Sequence, residues 1–357
     1  MKGTIEIFIG GRYIENSHKF VFMRLITAIV LIGSVSFIFL SGCKGEVKQT
    51  TDEPRNLNDL LEKFPDSVEL LLERGSLLFD EYAYDESMKD VAKAFRIDPT
   101  NTQARLLYAE ALNNRQQRTV QDVATAQRHY FKVIEEEPKN VRALVGLAAT
   151  FNFQQDFENT FKYVNEALRI DPKYRNAYVL KGTTYRQLGN MDLAKSSYET
   201  AVQQDPNFFE AYFSLGILYQ AEKNPICIEY FSTALSLRPE ILEVKYQLAY
   251  SRQIFNQIDG AIELYKEMAA DTSEVYAARG LFHQAYIKQF VKNDIDSAIY
   301  YYKSALRTEP RYVESWHNMG LCFAAKGDKS RALEAFGKAL EYDPEFELSR
   351  EEANRLR

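Results

Sequence analysis

The chain has 357 residues, a formal net charge of −6 and 26% charged residues. No block of Lys and Arg stands out, which excludes the basic footprint of a nucleic-acid binder. Three cysteines, Cys43, Cys227 and Cys322, are too few for a disulfide framework.

In chain order, the first candidate element is an uncharged apolar run over residues 25–40, preceded by Lys19 and Arg24. A membrane-spanning helix needs about 20 residues, so this run has the length of a signal-peptide core. It ends in Leu40-Ser41-Gly42-Cys43. Those four residues, placed directly after an apolar core, resemble the lipobox of bacterial lipoprotein signal peptides. The resemblance implies removal of residues 1–42, acylation of Cys43 and attachment to an envelope membrane. Met23-Arg24 would open a compact signal peptide by itself, so either Met1 or Met23 is the start. Lys44 stands where an aspartate would imply inner-membrane retention, so the expected site is the outer membrane facing the periplasm, with the cell surface as the alternative. Residues 44–55 are polar, of mixed charge and end near Pro54, which reads as a flexible tether.

Beyond the tether, eight of the ten prolines form a ladder: Pro65, Pro99, Pro138, Pro172, Pro206, Pro239, Pro310 and Pro344. The steps are 34, 39, 34, 34, 33, 71 and 34 residues. The long step spans two repeats, with its missing proline expected near Ser273. The step of 39 is one repeat with five extra residues, expected as a protruding turn within 114–122. A fixed period of this length marks a stacked array, in which each unit contacts only its neighbours.

Leu57, Leu60, Leu61 and Phe64 predict a lone starting helix. The repeats then open in turn at Val68 and Thr102, and the third shows Leu144, Leu147, Phe151, Val164 and Ala167. Repeat four carries Tyr178, Gly182, Tyr185, Ala194 and Tyr198. Repeat five carries Tyr212, Gly216, Tyr219, Cys227, Phe231 and Ala234. Repeat six has Lys245 and Arg252 where aromatics usually sit. Repeat seven is several residues too long over 273–293. These two are where bending or opening of the array is expected.

The eighth repeat is the clearest: Trp316, Met319, Gly320, Phe323, Ala332, Phe336, Ala339 and Pro344. It resembles the tetratricopeptide signature W-x₂-L-G-x₂-Y…A-x₃-F…P, a helix–turn–helix unit, with Met319 and Phe323 as mild departures. The resemblance covers roughly residues 57–344. It implies an all-α, right-handed solenoid of about eight repeats. Residues 56–344 are the array, and the charged stretch 345–357 is its cap. Gly320 and Ala332 leave room for the close approach of two helices. Cys227 and Cys322, three repeats apart, are expected to be packed and unbridged.

No Gly-x-Ser-x-Gly elbow, phosphate loop or His-Glu-x-x-His is present. His18, His129, His283 and His317 are scattered. No enzyme activity, cofactor or metal is therefore expected. Of the four, only His317 has an inward-directed position, and it is expected to be a solvated polar residue. The informative surface is the concave one, built by first helices. Its fifth and ninth repeat positions in repeats three to six are Val145 and Ala149, Val179 and Thr183, Phe213 and Ile217, Tyr246 and Tyr250. This departs from the Lys and Asn of tetratricopeptide arrays that grip acidic peptide ends. An apolar groove suits an amphipathic helix or apolar peptide. The alternative is that tight winding packs these side chains against neighbouring first helices. The expected function is that of a membrane-tethered adaptor binding other proteins. The second candidate is a glycan- or nutrient-binding lipoprotein with its ligand site in long insertions.

Overall fold

The computed structural model describes residues 56–115 and 117–357, and among these every regular element is helical. Helix α1 (Leu57–Lys63) starts the stack. The pairs α2 (Val68–Asp80) with α3 (Tyr84–Ile97), α4 (Thr102–Asn114) with α5 (Val120–Glu136), and α6 (Val141–Phe153) with α7 (Phe157–Ile170) follow. Next come α8 (Arg175–Gln187) with α9 (Met191–Gln204), and α10 (Phe209–Ala221) with α11 (Cys227–Leu237). The last three pairs are α12 (Leu242–Ile254) with α13 (Ile258–Ala269), α14 (Glu274–Tyr286) with α15 (Ile295–Thr308), and α16 (Val313–Ala325) with α17 (Lys329–Tyr342). Helix α18 (Glu347–Leu356) closes the chain. Residues 56–357 form one compact unit. It is a right-handed tetratricopeptide-type solenoid of eight helix pairs. The proposed leader, Cys43 and the tether lie outside the described residues.

The proline ladder works through the residue before each rung. Phe64, Asp98, Glu137, Asp171, Asp205, Arg238, Glu309 and Asp343 all leave helical geometry, with φ between −128° and −145°. The proline ring disfavours αR at the preceding residue, so each helix stops there. Helix starts, both after a proline (α4, α6) and after the turn within a pair (α9, α17), are fixed by a short polar side chain. Asn101, Asn140, Asn190 and Asp328 each accept the backbone N–H of the third residue on, satisfying an otherwise orphaned donor.

Within a pair, the close approach is enforced by the missing side chain of a glycine. A Cβ on Gly182 would lie 2.6 Å from the Tyr198 ring; one on Gly216, 2.6 Å from Phe231; one on Gly320, 2.6 Å from Phe336. All three rings are essentially fully buried. The second helix thus drives a ring into a notch on the first. Cys227 and Cys322 are buried free thiols, filling space in the same seams.

The five extra residues of repeat two do not form the expected protrusion. Helix α5 has 17 residues where α3 has 14, and the remaining two lengthen the turn before it. Thr119 and Asp122 form a reciprocal capping box that starts α5 early. Arg118 is folded back, its guanidinium 4.6 Å from the centre of the Phe153 ring and Nη1 donating to the Asn113 carbonyl. The surplus in repeat seven is likewise absorbed as helix: α14 runs on into a π-helical turn, Ile287–Val291. Insertions of this kind often mark functional sites.

Candidate functional site: the inner face of the first helices

Helices α4, α6, α8, α10, α12 and α14 carry the inner face, and polar side chains tie α4 to α6, α6 to α8, α10 to α12 and α12 to α14. Glu110 on α4 accepts two hydrogen bonds from Arg142 on α6, at 3.0 and 2.7 Å. Glu110 is buried, and burial pushes its pKa up against the pull of the guanidinium. Asn152 on α6 donates to Thr184 (3.0 Å) and Gln187 (2.8 Å) on α8. Gln220 on α10 donates to Ser251 on α12 at 2.9 Å. Glu243 on α12 accepts from Tyr276 on α14 at 3.0 Å. Satisfied partners are what make buried polar atoms tolerable.

Val145 is buried among Leu144, Ala148, Val164 and Ala177, while the other seven predicted groove residues are half-buried. Val179 packs beside Ala201, Phe208 and Ala211, and the Thr183 hydroxyl lies 3.1 Å from that of Tyr198. Ala149 is half-buried on α6. Phe213 stacks on Phe209 with centroids 5.9 Å apart, and Ile217 joins the cluster around Leu248 and Tyr265. Tyr246 and Tyr250 lie nearly parallel, 6.2 Å apart. The inner face therefore carries small and aliphatic side chains with the Thr183 hydroxyl at repeats three and four, where only Val145 is fully buried. At repeats five to seven it is mainly aromatic and half-buried. Tyr286 and the exposed Phe290 and Val291 of the π turn extend the apolar surface, with the Tyr286 and Phe290 rings 4.6 Å apart.

Behind the tyrosines sits a residue that periodicity did not single out. His283 is buried and stacks on Tyr265 at 4.7 Å. Its Nδ1 donates to Gln253 Oε1 at 3.1 Å, because that oxygen also takes the Tyr265 hydroxyl at 3.0 Å and can only accept. Nε2 accepts the Tyr246 hydroxyl at 3.3 Å. Burial, helped by Arg279, lowers the His283 pKa to about 3. His317 corrects the expectation of a solvated side chain. The cap helix covers it, Nδ1 lies 2.9 Å from the buried Ser349 hydroxyl, and burial lowers its pKa to about 4. Among the described residues, no group of three or more His, Cys, Asp or Glu could hold a metal ion.

Fold and inner face together are those of a tetratricopeptide-type solenoid. Family models agree: one described as a TPR repeat matches residues 182–222, and one described as a tetratricopeptide repeat matches 313–346. The chain is 26% identical over 198 residues to human tetratricopeptide repeat protein 6, covering 54% of this chain and 37% of that protein. It is 25% identical over 232 residues to the Drosophila melanogaster BBSome complex member BBS4 homolog, covering 61% of this chain and 47% of that one. The chain thus spans about half or less of the length of these curated relatives. Among solved structures, a chain of the APC/C hetero-tetramer Cut9–Hcn1 superposes with a TM-score of 0.58 at 16% identity, covering 84% of this chain and 58% of that one. At that identity the likeness concerns the fold alone.

Proposed function

We propose that the chain is a lipid-anchored adaptor of the bacterial cell envelope that captures a helical or apolar segment of a partner protein on the inner face of repeats five to seven. The observation that carries this reading is the half-buried aromatic row Phe213, Tyr246 and Tyr250, continued by the exposed Phe290. Aromatic anchors in a concave setting are the residues that dominate binding energy. The similarity to a BBSome complex member fits a scaffold that works within an assembly. The glycan-binding alternative draws on long insertions, and most of the two insertions here is spent on helix.

The anchor rests on Leu40-Ser41-Gly42-Cys43. Among the described residues no helix is long and apolar enough to cross a membrane. Attachment in this reading therefore depends on the acyl chains at Cys43, and more than one is needed for stable anchoring. Replacing Cys43 with serine is expected to abolish incorporation of labelled palmitate and to release the protein from the membrane fraction. Retention of label in the variant would refute the anchor.

The groove has its own test. Phe213→Asp combined with Tyr250→Asp is expected to abolish recovery of the partner crosslinked in intact cells, with far-UV circular dichroism unchanged. Undiminished recovery would remove the groove from the reading.

A further inference from the structure

The first and fifth repeats touch across the inside of the array. Tyr82, in the turn between α2 and α3, donates its hydroxyl to Glu210 Oε1 on α10 at 2.5 Å, 128 residues away. Its ring meets Phe209 edge-on at 5.8 Å, and the Arg238 guanidinium lies 5.2 Å from the ring centre. Arg238 Nη2 also donates to the main-chain carbonyl of Asp80 at 3.1 Å. That carbonyl is one of the orphaned acceptors at the end of α2, whose last turn carries no cation of its own. A residue 158 positions on supplies it.

The backbone adds an independent observation. One residue in seven of the inter-helix turns adopts positive φ: Tyr82, Gln155, Gly189, Lys223, Asn256, Asn293 and Gly327. Two are glycine and two asparagine, the residues that take this region at little cost. Tyr82, at φ 63°, is the only aromatic among them. A bulky residue held in this region is an outlier that the surroundings must fix. Here the surroundings are Phe209, Glu210 and Arg238, and the packing leaves Phe209 only 8% exposed at the very start of α10.

We propose that Tyr82 and Arg238 form a releasable latch that closes repeats one to five on themselves. While the latch is shut, the Tyr82 ring sits on Phe209, which in turn stacks on the groove residue Phe213. Tyr82 thus occupies, from within the chain, a place that a partner's aromatic side chain would take. Opening the latch separates the first repeat from the fifth without breaking any helix pair.

The test is a distance. Spin labels at exposed Lys89→Cys and Glu229→Cys, in the full-length chain with Cys43→Ser, report the gap between repeats one and five; Cys227 and Cys322 are buried. A single narrow distance is expected for the latched chain. Tyr82→Gly removes the ring yet suits the positive φ, so the turn itself is not harmed. It is expected to broaden the distribution and shift it to longer distances, and Arg238→Ala is expected to shift it in the same direction. Tyr82→Phe, which keeps the ring, should retain most of the short component. An unchanged distribution in Tyr82→Gly would overturn the latch. The distance needs no partner, so it stands or falls apart from the adaptor reading.

Discussion

Lowering the pH from 7 to 4 is expected to cost the array about 3 kcal/mol through His283 and about as much through His317, each shift of one unit being worth about 1.4 kcal/mol. Both imidazoles are held neutral by burial, with pKa values of about 3 and about 4, against about 6.5 in an unfolded chain. Below 6.5 the unfolded state takes up protons that the folded state refuses. The stability is therefore present in full above pH 6.5. It falls with pH until about 4 for His317 and about 3 for His283. The capping carboxylates of Asp156, Asp294 and Asp328 are held below their ordinary range by hydrogen bonds. They push in the same direction, so the histidine share is isolated by comparison. Urea unfolding at pH 7 and pH 4 should show His283→Gln losing roughly 3 kcal/mol less than the parent chain between the two, and His317→Asn likewise. Equal pH dependence in parent and variants would show that neither imidazole resists protonation.

The two histidines also mark where sequence reading stopped. The ladder was legible because each rung acts on the residue beside it: a proline at 344 needs only Asp343 to end α17. The notch-and-ring seams were legible because Gly320 and Phe336 stand at a fixed spacing within one helix pair. The split of the insertion was written locally too, since Thr119 and Asp122 have the spacing of a capping box. Counting residues gave the surplus without saying that helix would absorb most of it. Partners several repeats apart are another matter. His317 is buried by Ser349 and Phe346 of the cap, one repeat on. Tyr82 meets Phe209 only after the small rotations between successive repeats have accumulated over four of them. Periodicity fixes the period and leaves the rotation open, so neither the latch nor the packing of Val145 could be read from it. The one local hint was a tyrosine at the turn position that Gly189 and Gly327 occupy in repeats four and eight.

Phe231→Ala is expected to destabilise the chain by about 3–5 kcal/mol, the cost of emptying a buried aromatic site that cannot collapse. The ring is fully buried between Cys227, Leu248 and Tyr265, with its edge in the Gly216 notch. That notch makes a sharper test than the loss alone. In the parent chain Gly216→Ala places a methyl 2.6 Å from the ring. Overpacking of that kind costs about 1–3 kcal/mol, more than the roughly 1 kcal/mol that alanine gains over glycine inside a helix. With the ring gone the clash is gone, the methyl fills part of the void, and the helix-propensity gain remains. Gly216→Ala should therefore change sign, destabilising the parent and stabilising the Phe231→Ala variant. The coupling measured by urea unfolding of the four proteins would then exceed about 1 kcal/mol. Additive effects would mean that the glycine is not there to admit the ring.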